Sequence, residues 1–374
     1  MVAAPRRHRV RSLRVGIIAP PFLPVPPAGY GGIERVVATL AEGLLERGHE
    51  VTVFAAPPST TRAHVVTPLA VPAQLGDPAA VDDELFHVAS AYLEAPAFDL
   101  IHDHTAMGPP LGALVGSRTP VVHTLHGPWT ASNRRLFGLL HRQIHLVAIS
   151  HAQRAGNPRI RYAGVVHNGI DLSIHPFNPT KEDFLVFVGR VSPEKRPEVA
   201  VEVARRAKRP LVMIIKRKEP PEHAYWEQVV APRLTGDVEV LDQPPHEVKI
   251  ALMGRARALL FPIDWPEPFG LVMTEAMACG TPVIARPLGS APEIVAHGVT
   301  GFLCSTVGQM VDAVGAVGAL CPAACRVRVE QHFSAEAMVA GYERLYEAAT
   351  TWPLREDRVF DPHAGPPTIA SESA

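Results

Sequence analysis

The sequence predicts an α/β protein built from two doubly wound parallel units that face each other across a cleft. Three observations carry this expectation. Short β-branched runs alternate with helical patterns along most of the chain, as in layered parallel folds. The rhythm breaks at "HPFNPTKED", residues 175–183, and then restarts. The 374 residues also exceed one ordinary hydrophobic core.

The first unit opens on strand "RVGIIA" and a glycine-rich loop. "GIERVVATLAEGLLERGH" then sets Ile33, Val36, Val37, Leu40, Leu44 and Leu45 on one helical face. Strand "EVTVFAA" leads into a proline-rich passage, followed by strands "DLIHDH", "PVVHTLHG", "LVAISH" and "GVVHNGI". Several end in histidine or a polar residue, where the carboxyl ends of parallel strands border a ligand crevice. The second unit alternates strands "FLVFVGRV", "LVMIIK", "VEVL", "ALLFPI" and "PVIAR" with amphipathic helices. "CRVRVEQHFSAEAMVAGYERLYEAA" reads as one or two closing helices. The domains are therefore placed at 14–178 and 179–325, with closing helices over 326–352. A basic flexible start (1–13) and a poorly ordered tail rich in proline and small polar residues (353–374) flank them.

Composition narrows the class. Hydrophobic residues make up 47% and charged residues 20%, with a formal net charge of −1. No global basic field argues for nucleic acid or an anionic membrane. The five early arginines (Arg6, Arg7, Arg9, Arg11, Arg14) read as a solvated tail, with peripheral lipid contact as the alternative. Val15 to Ala19 is too short for a signal-peptide core, and no stretch approaches a membrane span. Cys279, Cys304, Cys321 and Cys325 form no metal pattern and read as reduced thiols of a cytoplasmic protein.

Four motifs carry chemistry. In "PPAGYGGIERVV", Gly29, Gly31 and Gly32 let backbone approach a phosphate or sugar. As a dinucleotide fingerprint it fails, because Glu34 replaces the third glycine and no acidic residue ends the second strand. In "FVGRVSPEKRPE", Arg190 and Lys195 stand across a Ser-Pro turn, a cation pair suited to a diphosphate; an exposed turn is the alternative. In "WPEPFGLVMTEAMACGTPV", Glu267 precedes a helix whose first amides attract an anion. Glu275 lies one turn inside that apolar helix and needs a partner: a ribose diol, a cap or a salt bridge. In "RPLGSAPEIVAHGVTGFL", Ser290 and Glu293 have capping-box spacing, which is a sufficient account of them.

In order, the glycine loop, "HTLHG", "VVHNGID", "GRVSPEK", "EPFGLVMTEAMACGTPVIA" and "GSAPEIVAHGVTGFL" resemble the retaining glycosyltransferases of family 4. The resemblance runs from about Arg14 to Tyr346 and implies the GT-B fold of two Rossmann-like domains facing across a deep cleft. It also implies closing helices that cross back to the first domain. By the same resemblance Arg190 and Lys195 bind the diphosphate of a nucleoside-diphosphate sugar, Glu267 lies by the transferred sugar, and Glu275 binds the ribose. Amides at Phe269, Gly270 and Leu271 hold sugar hydroxyls and phosphate, His126 faces the donor sugar, and Gly31 and Gly32 approach the diphosphate and the acceptor. Arg196 stands where the family usually has glycine. The glycine-rich loop is missing after "LVMIIK", and Asp242 replaces another frequent glycine, so the base preference stays open.

The expected reaction is metal-independent glycosyl transfer, with Arg190, Lys195 and the helix start stabilising the leaving diphosphate. No cofactor is expected beyond the donor substrate. "HDH" at His102 to His104 reads as a strand end lining the cleft rather than a metal site, since no third ligand is evident. Retention follows from the resemblance. Asp103 is a remote candidate nucleophile, and a same-face mechanism is preferred to double displacement. A nucleotide-sugar epimerase of similar architecture is the main alternative; an oxidoreductase and a non-catalytic sugar-nucleotide sensor are the others. Acceptor identity and oligomeric state are left open by the residues.

Overall fold

The computed structural model describes residues 11–114 and 119–351. The start carrying Arg6, Arg7 and Arg9, and the tail from residue 352, lie outside the described residues.

Two parallel sheets form the frame. The first has seven strands: β1 (Arg14–Ile18), β2 (Glu50–Phe54), β3 (His64–Val66), β4 (Leu100–Asp103), β5 (Val121–Leu125), β6 (His145–Ala148) and β7 (Gly164–Val165). Their spatial order is β3-β2-β1-β4-β5-β6-β7. The second has six: β8 (Leu185–Arg190), β9 (Leu211–Lys216), β10 (Val238–Asp242), β11 (Ala258–Phe261), β12 (Val283–Ala285) and β13 (Gly301–Leu303), in the order β10-β9-β8-β11-β12-β13. This is the GT-B architecture. Each sheet reverses its winding once, between β1 and β4 and between β8 and β11. Loops leaving the carboxyl ends at such a switch point diverge and open a crevice.

The central strands are apolar on both faces because helices cover both sides; Val15, Ile17, Leu100, Leu185 and Leu259 are fully buried. The helix Gly32–Glu46 buries Val36, Val37, Leu40 and Leu44, while Ile33 and Leu45 pack at the rim of the same core. Two elements were hidden in the proline-rich passage: β3 and a helix at Ala80–Leu93. Proline and glycine density masked a helix that begins only after the last of them.

Helix Pro322–His332 packs on helix Leu271–Ala278 of the second unit, so the chain crosses after it. Helix Ala335–Thr351 then lies on the first unit. Tyr342 and Tyr346 are fully buried there, and Glu343 bonds Arg47 at 2.7 Å and His49 at 3.2 Å. No single described helix is long and apolar enough to cross a membrane.

Candidate active site

Between the sheets lies a cleft of about 730 Å³, within the range of small-molecule sites. Gly31, Gly32, His126, Arg190, Lys195, Glu267, Phe269, Gly270, Leu271 and Glu275 all line it. The carboxyl ends of the strands bring them together: the segments after β1 and β5 supply the first three, and the end of β8 and the segments after β8 and β11 supply the rest.

Arg190 ends β8, with Nη2 2.9 Å from Glu194 Oε1 and Nη1 4.0 Å from the buried Glu222. Lys195 pairs with Glu267 Oε2, which also accepts from Trp265 Nε1 at 2.9 Å. The Lys195 ammonium stands 5.0 Å from the Trp265 ring and 5.8 Å from the Phe261 ring. An ammonium has three donors, so the pair with Glu267 leaves capacity for an anion. Arg196 keeps the turn that its family position usually gives to glycine. It takes φ 54°, in the left-handed region, with Nε 2.6 Å from Glu198 and Nη1 2.8 Å from Asp264.

The Glu267 loop is held by its neighbours. Gly289, at φ 57°, lies so close that a β-carbon there would fall 2.2 Å from Glu267 O. Ser290 N donates to Glu267 O at 2.9 Å, and Ser290 Oγ to Phe269 O at 2.6 Å. This corrects the capping-box reading. The Ser290 hydroxyl is spent on the Phe269 carbonyl, and Glu293 crosses to the first unit. There it accepts from the amides of His151 (2.9 Å) and Ala152 (2.7 Å) and from His167 (2.9 Å). The start of helix His151–Ala155 offers donors that its own residues leave unused, and Glu293 is the nearest acceptor.

Gly270 caps the start of helix Leu271–Ala278 at φ 79°, and Gly270, Leu271 and Val272 at this start line the cleft. Glu275 is 3% exposed, and Lys249 Nζ sits 2.8 Å from each of its oxygens. Burial alone would raise this carboxyl; the Lys249 ammonium and His175, at 3.9 Å, overcome that and hold it well below the usual carboxylate range. Sequence reasoning missed Lys249 and His175. The only signal for Lys249 was a lysine inside an otherwise helical apolar pattern.

On the facing wall, His126 Nε2 meets His104 Nδ1 at 2.8 Å. Burial pushes His126 down to about 4, so the imidazole is neutral at pH 7. The "HDH" residues divide. His104 lines the cleft, whereas His102 does not and is held by Tyr346 (2.6 Å) and Thr124 (2.8 Å) through its two nitrogens. Asp103 is fully buried, with Oδ2 taken by Tyr92 and Oδ1 by Thr105, and does not line the cleft. That removes it as a nucleophile. Glu34, in the missing-glycine position, is buried at the cleft wall, and desolvation raises its carboxyl to about 7.

The wall formed by the second unit thus carries cations and a helix start, suited to an anionic leaving group. The opposite wall carries the glycine-loop backbone and neutral imidazoles, along with Glu34, Arg35 and Glu84. Among the described residues, His151, His167 and Glu293 have spacing that could hold a metal ion, but they lie at the domain junction and not among the cleft-lining residues.

Comparisons with known proteins bear on the family and the fold. Residues 30–174 match the family described as Glycosyltransferase Family 4, and residues 173–318 the one described as Glycosyl transferases group 1. The chain is 26% identical to the D-inositol 3-phosphate glycosyltransferase of Mycolicibacterium smegmatis, over 91% of each chain. It is 28% identical to that of Mycobacterium tuberculosis, over 82% of this chain and 76% of the relative. Among solved structures, AviGT4, a glycosyltransferase involved in avilamycin A biosynthesis, superposes with a TM-score of 0.70 at 26% identity, covering 91% of this chain and 98% of its own. Anabaena HepE, solved in complex with UDP and glucose, gives a TM-score of 0.70 at 21% identity, over 90% and 100%, and supports the fold.

Proposed function

Since the chain belongs to the family 4, group 1 glycosyltransferases, we propose that it moves a sugar from a nucleoside-diphosphate sugar to a hydroxyl of a small molecule or glycoconjugate. Anomeric configuration is retained and no metal takes part. One observation carries this: Arg190, Lys195, Glu267, the Gly270 helix start and Glu275 line one side of the cleft, opposite Gly31, Gly32 and His126.

In this reading Arg190, Lys195 and the amides of Phe269, Gly270 and Leu271 take the charge that grows on the diphosphate as it leaves. Glu275 accepts from the ribose diol, already ionised and aimed by Lys249. Glu267, buttressed by Gly289 and Ser290, holds hydroxyls of the transferred sugar, and neutral His126 faces the same sugar. The bond from the anomeric carbon to the leaving phosphate oxygen breaks, the acceptor oxygen bonds that carbon on the same face, and the acceptor proton passes to the departing phosphate. A reducing cytoplasmic compartment suits the four free thiols.

The test is incubation with a panel of nucleotide sugars, UDP-sugars first because HepE was solved with UDP and glucose. Nucleoside diphosphate release is followed with and without acceptor, and product configuration by NMR. Acceptor-dependent release with a retained product is expected. Conversion of donor to an epimer without acceptor, or an inverted product, overturns the reading.

A further inference from the structure

We propose that the acceptor half of the cleft takes an uncharged hydroxyl compound with an apolar body, an aryl or alkyl glycoside or polyol, in preference to a phosphorylated one. This rests on the transferase reading above.

The two ends of the cleft differ in chemistry. Its described cations all belong to the donor end. Arg190 and Lys195 flank Glu267, Lys249 is bound to Glu275, and Lys216 Nζ lies 5.5 Å from the Tyr30 ring. Arg35 donates to the carbonyls of Pro27 and Gly29, both at 3.2 Å, in the field of Glu275.

The other end is walled by carbon. Phe22, Leu23 and Leu75 form one side; Ala73 N bonds Pro21 O at 2.9 Å and draws the two segments together. Leu136 and Phe137 of helix Ala131–Leu140 form the other, with the Phe137 ring stacked on His123 at 5.5 Å. Leu75 is 68% exposed, an apolar face that a bound body would cover.

Between these walls the polar groups include Thr105, Thr124, the Asn133 amide, neutral imidazoles and the Glu84 carboxylate. Glu84 is 7% exposed, and its Oε1 accepts from the amides of Ala106 (2.8 Å) and Met107 (3.2 Å). Burial keeps His104, His123 and His126 uncharged at pH 7. Carboxylate and imidazole nitrogen accept from hydroxyls. A phosphomonoester would bring a charge of about −1.5 to −2 beside Glu84, in a desolvated site.

The test uses phenyl β-D-glucoside, its 6-phosphate ester and methyl β-D-glucoside, binding to the nucleotide-loaded enzyme by calorimetry. The phenyl glucoside should bind at least about tenfold tighter than either of the others. Leu75→Asp, at an exposed position, should weaken it at least about threefold, and Leu136→Lys should shift preference toward the phosphate ester. Equal or tighter binding of the ester or of the methyl glucoside overturns the inference, as does no binding of any glucoside. Donor hydrolysis is read separately: an enzyme that takes no nucleotide sugar sinks the transferase reading, whereas one that turns over donor yet favours the phosphate ester sinks only this inference.

Discussion

Lys249 and Glu275, on different helices of the second unit, form a closed pair in which one ammonium lies 2.8 Å from both carboxylate oxygens. Glu275 is thereby fixed as an anion inside an apolar helix, pointing into the cleft. Removing one partner leaves a buried charge alone. Lys249→Met should therefore cost about 3–5 kcal/mol in a denaturant titration. A Lys249→Met, Glu275→Leu double variant should regain at least half of that. No recovery would mean that packing, not charge, is what Lys249 contributes.

Neutralising Arg190 or Lys195 should lower transfer at least about tenfold, since each is assigned more than about 1.4 kcal/mol of transition-state stabilisation. Steady-state turnover at saturating donor is the measurement. Unchanged turnover in both variants would sink the diphosphate assignment.

Chelation should leave transfer intact. Activity is assayed after EDTA treatment and exchange into metal-free buffer, then with divalent cations restored. Loss on chelation with recovery on metal addition would reverse the metal-independent reading and direct attention to His151, His167 and Glu293.

Glu34 should make stability depend on pH. Burial raises its folded-state carboxyl from the ordinary 4.5 to about 7, so the native state holds the proton that the unfolded chain has released. Its contribution is complete below pH 4.5 and is lost as pH rises through about 7, a span of about 3 kcal/mol. Glu34→Gln keeps the shape without the titration. Melts at pH 5 and pH 8 should show a drop in the parent protein that the variant lacks; parallel profiles would contradict the shift.

Gly289→Ala should damage the site through the backbone. The added carbon would meet Glu267 O at 2.2 Å from a left-handed residue, costing about 2–4 kcal/mol. Stability and transfer should fall together. A variant that kept full transfer would show that the Glu267 loop tolerates displacement.

Much of the site was legible in the chain because its signals are local. Arg190 and Lys195 share one turn, Glu267 and Glu275 bracket one helix start, and Gly31 and Gly32 begin another. Each motif needs only its own segment to fold. Partner choice was not legible. Ser290 and Glu293 have the spacing of a cap, yet Glu293 serves a helix start about 140 positions away in sequence. His102 and His104 are two residues apart at the end of one strand. Alternation of side chains along it sends both to one side, and packing against Tyr346 and His126 then separates their roles.

By itself the sequence determined the two doubly wound units, the segments that carry cations and carboxylates, and the family. Those follow from hydrophobic period and short-range spacing, which the chain encodes locally. Only the tertiary structure decided that Lys249 neutralises Glu275, that Asp103 is sealed away from the cleft, and that one end of the cleft is walled by carbon. Strand order and the closing helix set those distances, and a buried polar group bonds whichever partner the folded chain brings within about 3 Å.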